Sequence, residues 1–250
     1  MKAKSIRDTI GTAIVILLAA AAIFMGVFYP VEGARWLEQQ AKTDFRLYES
    51  AQFDISNVTV SPDAYRIVND NVPSFTEKSF NGVCFEDYSD LDELGRCGVA
   101  YACLGKETMP TEPRGEIGMI KPSGWHTVKY DCVDGKYLYN RCHLIAFCLA
   151  GENANEKNLI TGTRYMNAQG MLPFEEAVAN YIDETNNHVL YRVTPVFEGD
   201  NLVADGVQIE AYSVEDRGRG VQFNVFCYNT QPNIEINYTT GDSSLKGETK

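Results

Sequence analysis

The sequence predicts an α+β domain built on a central antiparallel sheet and preceded by an N-terminal transmembrane helix. Three features predict it: an uncharged apolar run over 10–29, several short β-branched and aromatic segments separated by turn residues, and a helix-like stretch over about 173–185. Strands grouped apart from one well-marked helix, without regular strand–helix alternation, indicate an antiparallel sheet and not a parallel one.

Lys2, Lys4 and Arg7 precede the apolar run and Pro30 ends it. About 20 such residues match the hydrocarbon thickness of a bilayer, whereas a cleavable signal carries an apolar core of about 7–15. With all the basic residues on one side, the N-terminus is expected in the cytoplasm and the rest of the chain outside. The expected organisation is a basic cytoplasmic tip over 1–8, a transmembrane signal anchor over 9–30, a stalk over 31–50, one domain over 51–240 and a flexible tail over 241–250. The alternative is cleavage near Gly33 and Ala34, which would secrete the same domain.

A formal net charge of −12 argues against a tight, charge-driven binder of polyanions, because such binding rests on Lys and Arg neutralising phosphates. It does not exclude turnover of a polyanion at a site whose positive charge comes from a bound cation. Between 106 and 141 the charges nearly cancel, so the acidic excess lies elsewhere. Seven cysteines in an exported chain are an odd number, so at least one is unpaired or bonded to another chain. Cys97/Cys103 and Cys142/Cys148 share a spacing of six, which suggests bridges, while buried free thiols remain the equal alternative.

Along the domain, Ser89 followed by Asp90, Asp92 and Glu93 reads as a capped start of a short helix. The stretch 96–102 is small and apolar, as in a strand. Residues 125–130 and 136–139 alternate in character and flank Asp134-Gly135, a favoured hairpin turn, so a hairpin is expected there. A polar loop over 151–163 and the helix over 173–185 follow, with Pro173 and Glu175 in its first turn. Hairpin, loop and helix in that order make a ββα unit. Further strands are expected over 188–197, 202–207 and 221–228.

Three stretches carry a resemblance: Tyr137-Leu-Tyr-Asn-Arg-Cys-His-Leu-Ile145, the loop from Gly151 through Asn158 to Asn167, and Met171-Leu-Pro-Phe-Glu175. Together they resemble the DNA/RNA non-specific endonuclease family, the ββα-metal nucleases. Within it the chain is similar to the secreted streptococcal DNases and the DNA-entry nucleases, from about Asp87 to Tyr238. The family signature is Asp-Arg-Gly-His, which falls on Asn140, Arg141, Cys142 and His143, so the first and third positions depart from it. The resemblance implies His143 as general base, Arg141 as a catalytic phosphate clamp and Asn158 as the supporting catalytic asparagine. It also implies Asn167 as metal ligand and Glu175 as holder of the metal's waters.

These residue types suit phosphodiester hydrolysis. A neutral imidazole titrates near working pH and can take a proton from water. Mg²⁺, with Mn²⁺ as the alternative, prefers oxygen ligands, keeps several waters and stabilises charge on the departing oxygen. The resemblance therefore implies an extracellular, metal-dependent nuclease acting on DNA, with RNA as a second substrate, and leaving 5′-phosphate ends. No recognition helix, zinc finger or basic arm is evident, so contacts are expected to be with the phosphate backbone. Two rivals stand beside this reading. One is a catalytically inactive nuclease-fold binding or assembly protein at the cell surface; the other is a metal-independent adhesion domain. His126 and His188 read as structural. Adjacent Cys142 and His143 are the ingredients of a cysteine protease, but neighbours on a strand point to opposite faces.

Overall fold

The computed structural model describes residues 64–75 and 82–247, all within the unit Phe53–Lys250. In chain order its elements are β1 (Tyr65–Ile67), β2 (Phe85–Tyr88), β3 (Ala100–Leu104), β4 (Tyr139–His143), α1 (Phe147–Ala150), β5 (Leu159–Thr163), a π-helical segment (Met166–Met171), α2 (Leu172–Thr185), β6 (Val189–Val196), β7 (Gly206–Ser213), β8 (Gln222–Tyr228), β9 (Ile234–Ile236) and β10 (Ser243–Leu245). Six of these strands form one sheet in the order β1-β8-β7-β6-β3-β2, and every neighbouring pair is antiparallel. The α+β architecture with a central antiparallel sheet is therefore the observed one.

Period-two patterning decides which face of that sheet is covered. Val207, Ile209 and Ala211 of β7 and Phe223, Val225 and Cys227 of β8 are buried in the main core. Their neighbours Gln208, Glu210, Gln222 and Asn224 belong to the other face. On that face the cross-strand partners Arg192 and Glu210 form an ion pair, and Ser74 donates its amide and hydroxyl to Glu210 Oε1 at 2.8 and 2.9 Å. The buried carboxylate is thus fully partnered.

Helix α2 covers the apolar face. Phe174, Val178 and Ile182 recur every four residues and are completely buried, with the Phe174 ring 5.0 Å from that of Phe223. Truncating such a phenylalanine costs about 3–5 kcal/mol. Pro173, in the first turn of the helix, has no amide to give to Gln169. The wider π-turn just upstream accommodates this, and the Leu172 amide reaches back to the Asn167 carbonyl.

Beside this layer, β4 pairs with β5 as a separate two-stranded ribbon, with His143 opposite Leu159. Gly162 lets the ribbon close on itself, because a Cβ there would lie 2.6 Å from the Cβ of Cys142 and 2.8 Å from the Met166 methyl. The ββα unit is thus β4, β5 and α2. Its second strand was hidden in the sequence as part of a polar loop, since Thr161, Gly162 and Thr163 carry little apolar signal.

Other expectations need correction. The hairpin over 125–139 is reduced to one bridge between Lys129 and Tyr137, because Tyr139 already pairs with β5. The acidic stretch after Ser89 makes a turn and no helix: Asp92 Oδ1 accepts the amides of Leu94 and Arg96, each at 2.9 Å. The strand expected over 202–207 is β7, which begins only at Gly206. Part of the expected tail is a strand, β10, that pairs with β9 and sets Leu245 against the cluster of Val133, Leu138, Tyr139 and Ile234. The signal anchor over 9–30 and the stalk over 31–50 lie outside the described residues. Among the described residues no helix is long and apolar enough to cross a membrane.

None of the seven cysteines is bonded to another. The alternative of buried free thiols therefore holds for Cys97, Cys103, Cys142 and Cys227, while Cys148 is exposed on α1.

Candidate active site

The ribbon, the π-turn and the first turn of α2 converge on an open cleft of about 720 Å³. Arg114, Trp125, Arg141, His143, Asn167 and Glu175 are among the residues that line it. Four of the five residues singled out in the sequence therefore meet in one place. The cleft also carries three arginines, Arg114, Arg141 and Arg164, against the single acid Glu175, a local balance opposite to that of the whole chain.

His143 ends β4 and is 6% exposed. Its Nε2 lies 2.9 Å from the carbonyl oxygen of Asn153. A carbonyl only accepts, so Nε2 carries the proton and the lone pair of the neutral ring is on Nδ1. The Arg114 Nη2 stands 3.3 Å from that Nδ1. Burial pushes the pKa of His143 below its ordinary value, and the Arg114 charge adds to the effect while the Asn153 carbonyl opposes it. The ring is neutral, and its Nδ1 lone pair accepts from Arg114 Nη2 where both residues line the cleft.

Asn167 sits in the π-turn. Its Nδ2 approaches Asn140 Oδ1 at 3.5 Å, which leaves Oδ1 facing the Cys142 thiol at 3.0 Å. A thiol is a weak donor that yields readily to a stronger partner for the amide oxygen. Glu175, on the first turn of α2, is 7% exposed, and no hydrogen bond reaches its carboxyl among the described residues. Burial pushes its pKa up to about 8, Glu176 adds to this, and Arg114 opposes it. A buried acid without a hydrogen-bond partner, in the same cleft as an amide oxygen held only by a weak thiol donor, is a donor set that fits a hard divalent cation.

Arg141 lines the cleft but is engaged. Its Nε donates to the Ile120 carbonyl, Nη2 donates to the Gly118 carbonyl at 2.7 Å, and the guanidinium lies 4.1 Å from the Trp125 ring centroid. It therefore ties the segment 118–125 to the ribbon. Asn158 is fully buried and does not line the cleft. Its Oδ1 accepts the Ile145 amide at 2.8 Å and its Nδ2 donates to the Ile145 carbonyl at 2.9 Å, which pins the chain two residues beyond His143.

The profile of the DNA/RNA non-specific endonuclease family matches residues 74–215, more than half of the 250-residue chain. The chain belongs to that family. The nuclease is also similar in structure to NucA from Streptococcus agalactiae with magnesium ion bound, at a TM-score of 0.65 and 25% identity, over 81% of this chain and 97% of that one. The same NucA with no metal bound gives 0.64 and 26%, over 81% and 96%. The Sda1 nuclease with bound zinc ion shares the fold, at 0.62 and 22% identity over 78% of this chain and all of that one.

Sequence reasoning missed Arg114 in this nuclease. It lies between Pro113 and Gly115 in a loop without periodicity, and only the folded chain brings it to His143, 29 residues away. It also missed what Asn140 and Cys142 do, since both touch Asn167 and so hold its amide in place.

Proposed function

We propose that this nuclease hydrolyses phosphodiester bonds of DNA, and of RNA, outside the cell, with His143 as general base and a divalent cation held by Asn167 and Glu175. The observation that carries the reading is the meeting in one cleft of a neutral imidazole, its Nδ1 paired with an arginine suited to phosphate, with two oxygen donors suited to a hard cation. Mg²⁺, or Mn²⁺ in its place, would supply Lewis-acid stabilisation of the charge that grows on the phosphate and leaving oxygens.

The chain's own residues perform the rest. Once Arg114 turns from Nδ1 to the phosphate, Nδ1 of His143 takes a proton from the attacking water, and the Nε2–H bond to the Asn153 carbonyl keeps the ring in the tautomer that can do so. Arg114, exposed at the rim and beside Nδ1, is placed to bind a non-bridging phosphate oxygen. Arg141 and Asn158 act as positioning residues, the first holding the cleft wall and the second the backbone that carries His143. Arg114 in the cleft suits contact with backbone phosphates, which carry no sequence information. The uncharged run over 10–29 supports the extracellular placement.

The test is cleavage of a supercoiled plasmid and of a structured RNA by the full-length chain. Activity is expected with Mg²⁺ or Mn²⁺, and none with excess EDTA. A chain that binds the plasmid but never nicks it under any divalent cation overturns the reading in favour of an inactive binding protein.

A further inference from the structure

Away from the residues that line the cleft, Cys84, Glu107 and His188 bring a sulfur, an oxygen and a nitrogen donor within 4.8 Å of one another. The topology explains the meeting. Cys84 immediately precedes β2, His188 immediately precedes β6, and Glu107 lies just past the end of β3, the strand between them. Register places Phe85 opposite Cys103 and Leu104 opposite Val189, so all three residues share one end of the sheet. None of them lines the cleft.

Three further observations shape this corner. The Cys84 Sγ is 3.6 Å and the His188 Nε2 is 3.7 Å from the same oxygen, Glu107 Oε2. Metal–ligand bonds of about 2.0–2.3 Å in a tetrahedron place ligand atoms about 3.3–3.8 Å apart, so both separations suit one small ion between them. Behind the ring, His188 Nδ1 is bonded to Glu215 Oε1, and the His188 amide donates to Glu215 Oε2 at 2.8 Å. A carboxylate on the far nitrogen of a histidine aims the near nitrogen at a metal and strengthens it as a ligand. Gly105 makes room: a Cβ there would stand 2.6 Å from Glu107 Oε2, 2.7 Å from His188 Cδ2 and 3.0 Å from Cys84 Sγ.

We propose that Cys84, Glu107 and His188 form a second metal site, with Glu215 orienting His188, that takes a borderline-soft transition ion of the Zn²⁺ class. A thiolate and an imidazole select such an ion over Mg²⁺, and three protein ligands leave the fourth position to water. On binding, the thiol gives its proton to solvent and sulfur donates its lone pair to the ion. The ion clips the ends of β2, β3 and β6 together and to the segment after β7 that carries Glu215.

The experiment uses the full-length chain and Co²⁺ as a spectroscopic probe, followed by displacement with Zn²⁺. One equivalent of Co²⁺ is expected to give a thiolate-to-metal charge-transfer band that Zn²⁺ abolishes, and Zn²⁺ is expected to raise the melting temperature. Cys84→Ser, a near-isosteric change, should remove the band while plasmid nicking continues, which shows the fold intact. His188→Gln should weaken binding by at least the about 10- to 100-fold that loss of an outer-shell partner costs, and Glu215→Gln by that amount. Absence of the band overturns the proposal. So does a band that survives Cys84→Ser, which would assign it to another thiol, or one lost only in Asn167→Ala, which would place the ion in the cleft. The result does not depend on the nuclease reading, because a chain without any cleavage activity could still show the band.

Discussion

His143 and His188 both stand at a strand terminus, yet their partners differ in kind. The ring of His143 leans on a peptide carbonyl, which fixes the tautomer without adding charge, and its other nitrogen accepts from an arginine. The ring of His188 leans on a carboxylate and faces a second carboxylate and a thiol. A neutral backing with a cationic neighbour keeps the ring neutral, with a lone pair that can accept a proton once the arginine gives way. An anionic backing with further donors around the free nitrogen makes a ligand. One residue type is thus set to two tasks by the charge of what it touches.

The most severe way to break this contrast is to delete each ring. His143→Ala is expected to lower the plasmid-cleavage rate by about 10²- to 10⁴-fold while Mg²⁺ binding persists. His188→Ala should stay close to the parent rate. Equal losses from both would end the distinction. Next in size is Asn167→Ala, expected to raise the Mg²⁺ concentration for half-maximal cleavage by about tenfold or more, with activity partly recovered at high metal. An unchanged metal requirement would remove Asn167 from the ligand set.

Asn158→Ala sharpens the comparison by separating support from chemistry. It strips partners from the buried amide and carbonyl of Ile145, each worth about 1–3 kcal/mol, so chemical denaturation should show a loss of about 2–6 kcal/mol. The folded fraction should keep the parent's Mg²⁺ requirement, as suits a residue that does not line the cleft.

A smaller effect is expected from pH. Burial and the Arg114 charge both disfavour the protonated ring of His143, so its pKa lies below the ordinary 6.5. The acid limb of kcat/KM should therefore lie below that value, with the base fully available at neutral pH. Arg114→Ala removes one of the two depressing causes and should move the limb upward, toward higher pH. A downward move would show that Arg114 does not act on this ring. The smallest effect is that of reduction. With all seven cysteines free, tris(2-carboxyethyl)phosphine should leave both the melting temperature and the cleavage rate unchanged.

Much of the site was legible because its residues cluster in the chain. Asn140 to His143, Asn158, Asn167 and Glu175 span 36 positions, and a helix with Pro173 and Glu175 at its start shows itself by apolar spacing alone. The second strand of the ribbon was not legible. Leu159–Thr163 is fully buried yet reads as polar, because its threonines find partners elsewhere: the Thr161 hydroxyl donates to the Ser123 carbonyl at 2.8 Å and that of Thr163 to the Thr230 carbonyl at 2.7 Å. Nor was the role of Asn158, since a loop asparagine and a buried backbone clamp look alike until Ile145 is in place.

By itself the sequence determined the α+β class, the central antiparallel sheet and the family, because periodicity and an ordered run of motif residues are local properties that survive without coordinates. Only the tertiary structure decided that Arg141 is held by two carbonyls and that Arg114 faces the histidine. It alone brought Cys84, Glu107 and His188, spread over more than one hundred positions, to one end of the sheet. Antiparallel pairing joins residues far apart in the chain, and no local pattern records which strand ends will meet.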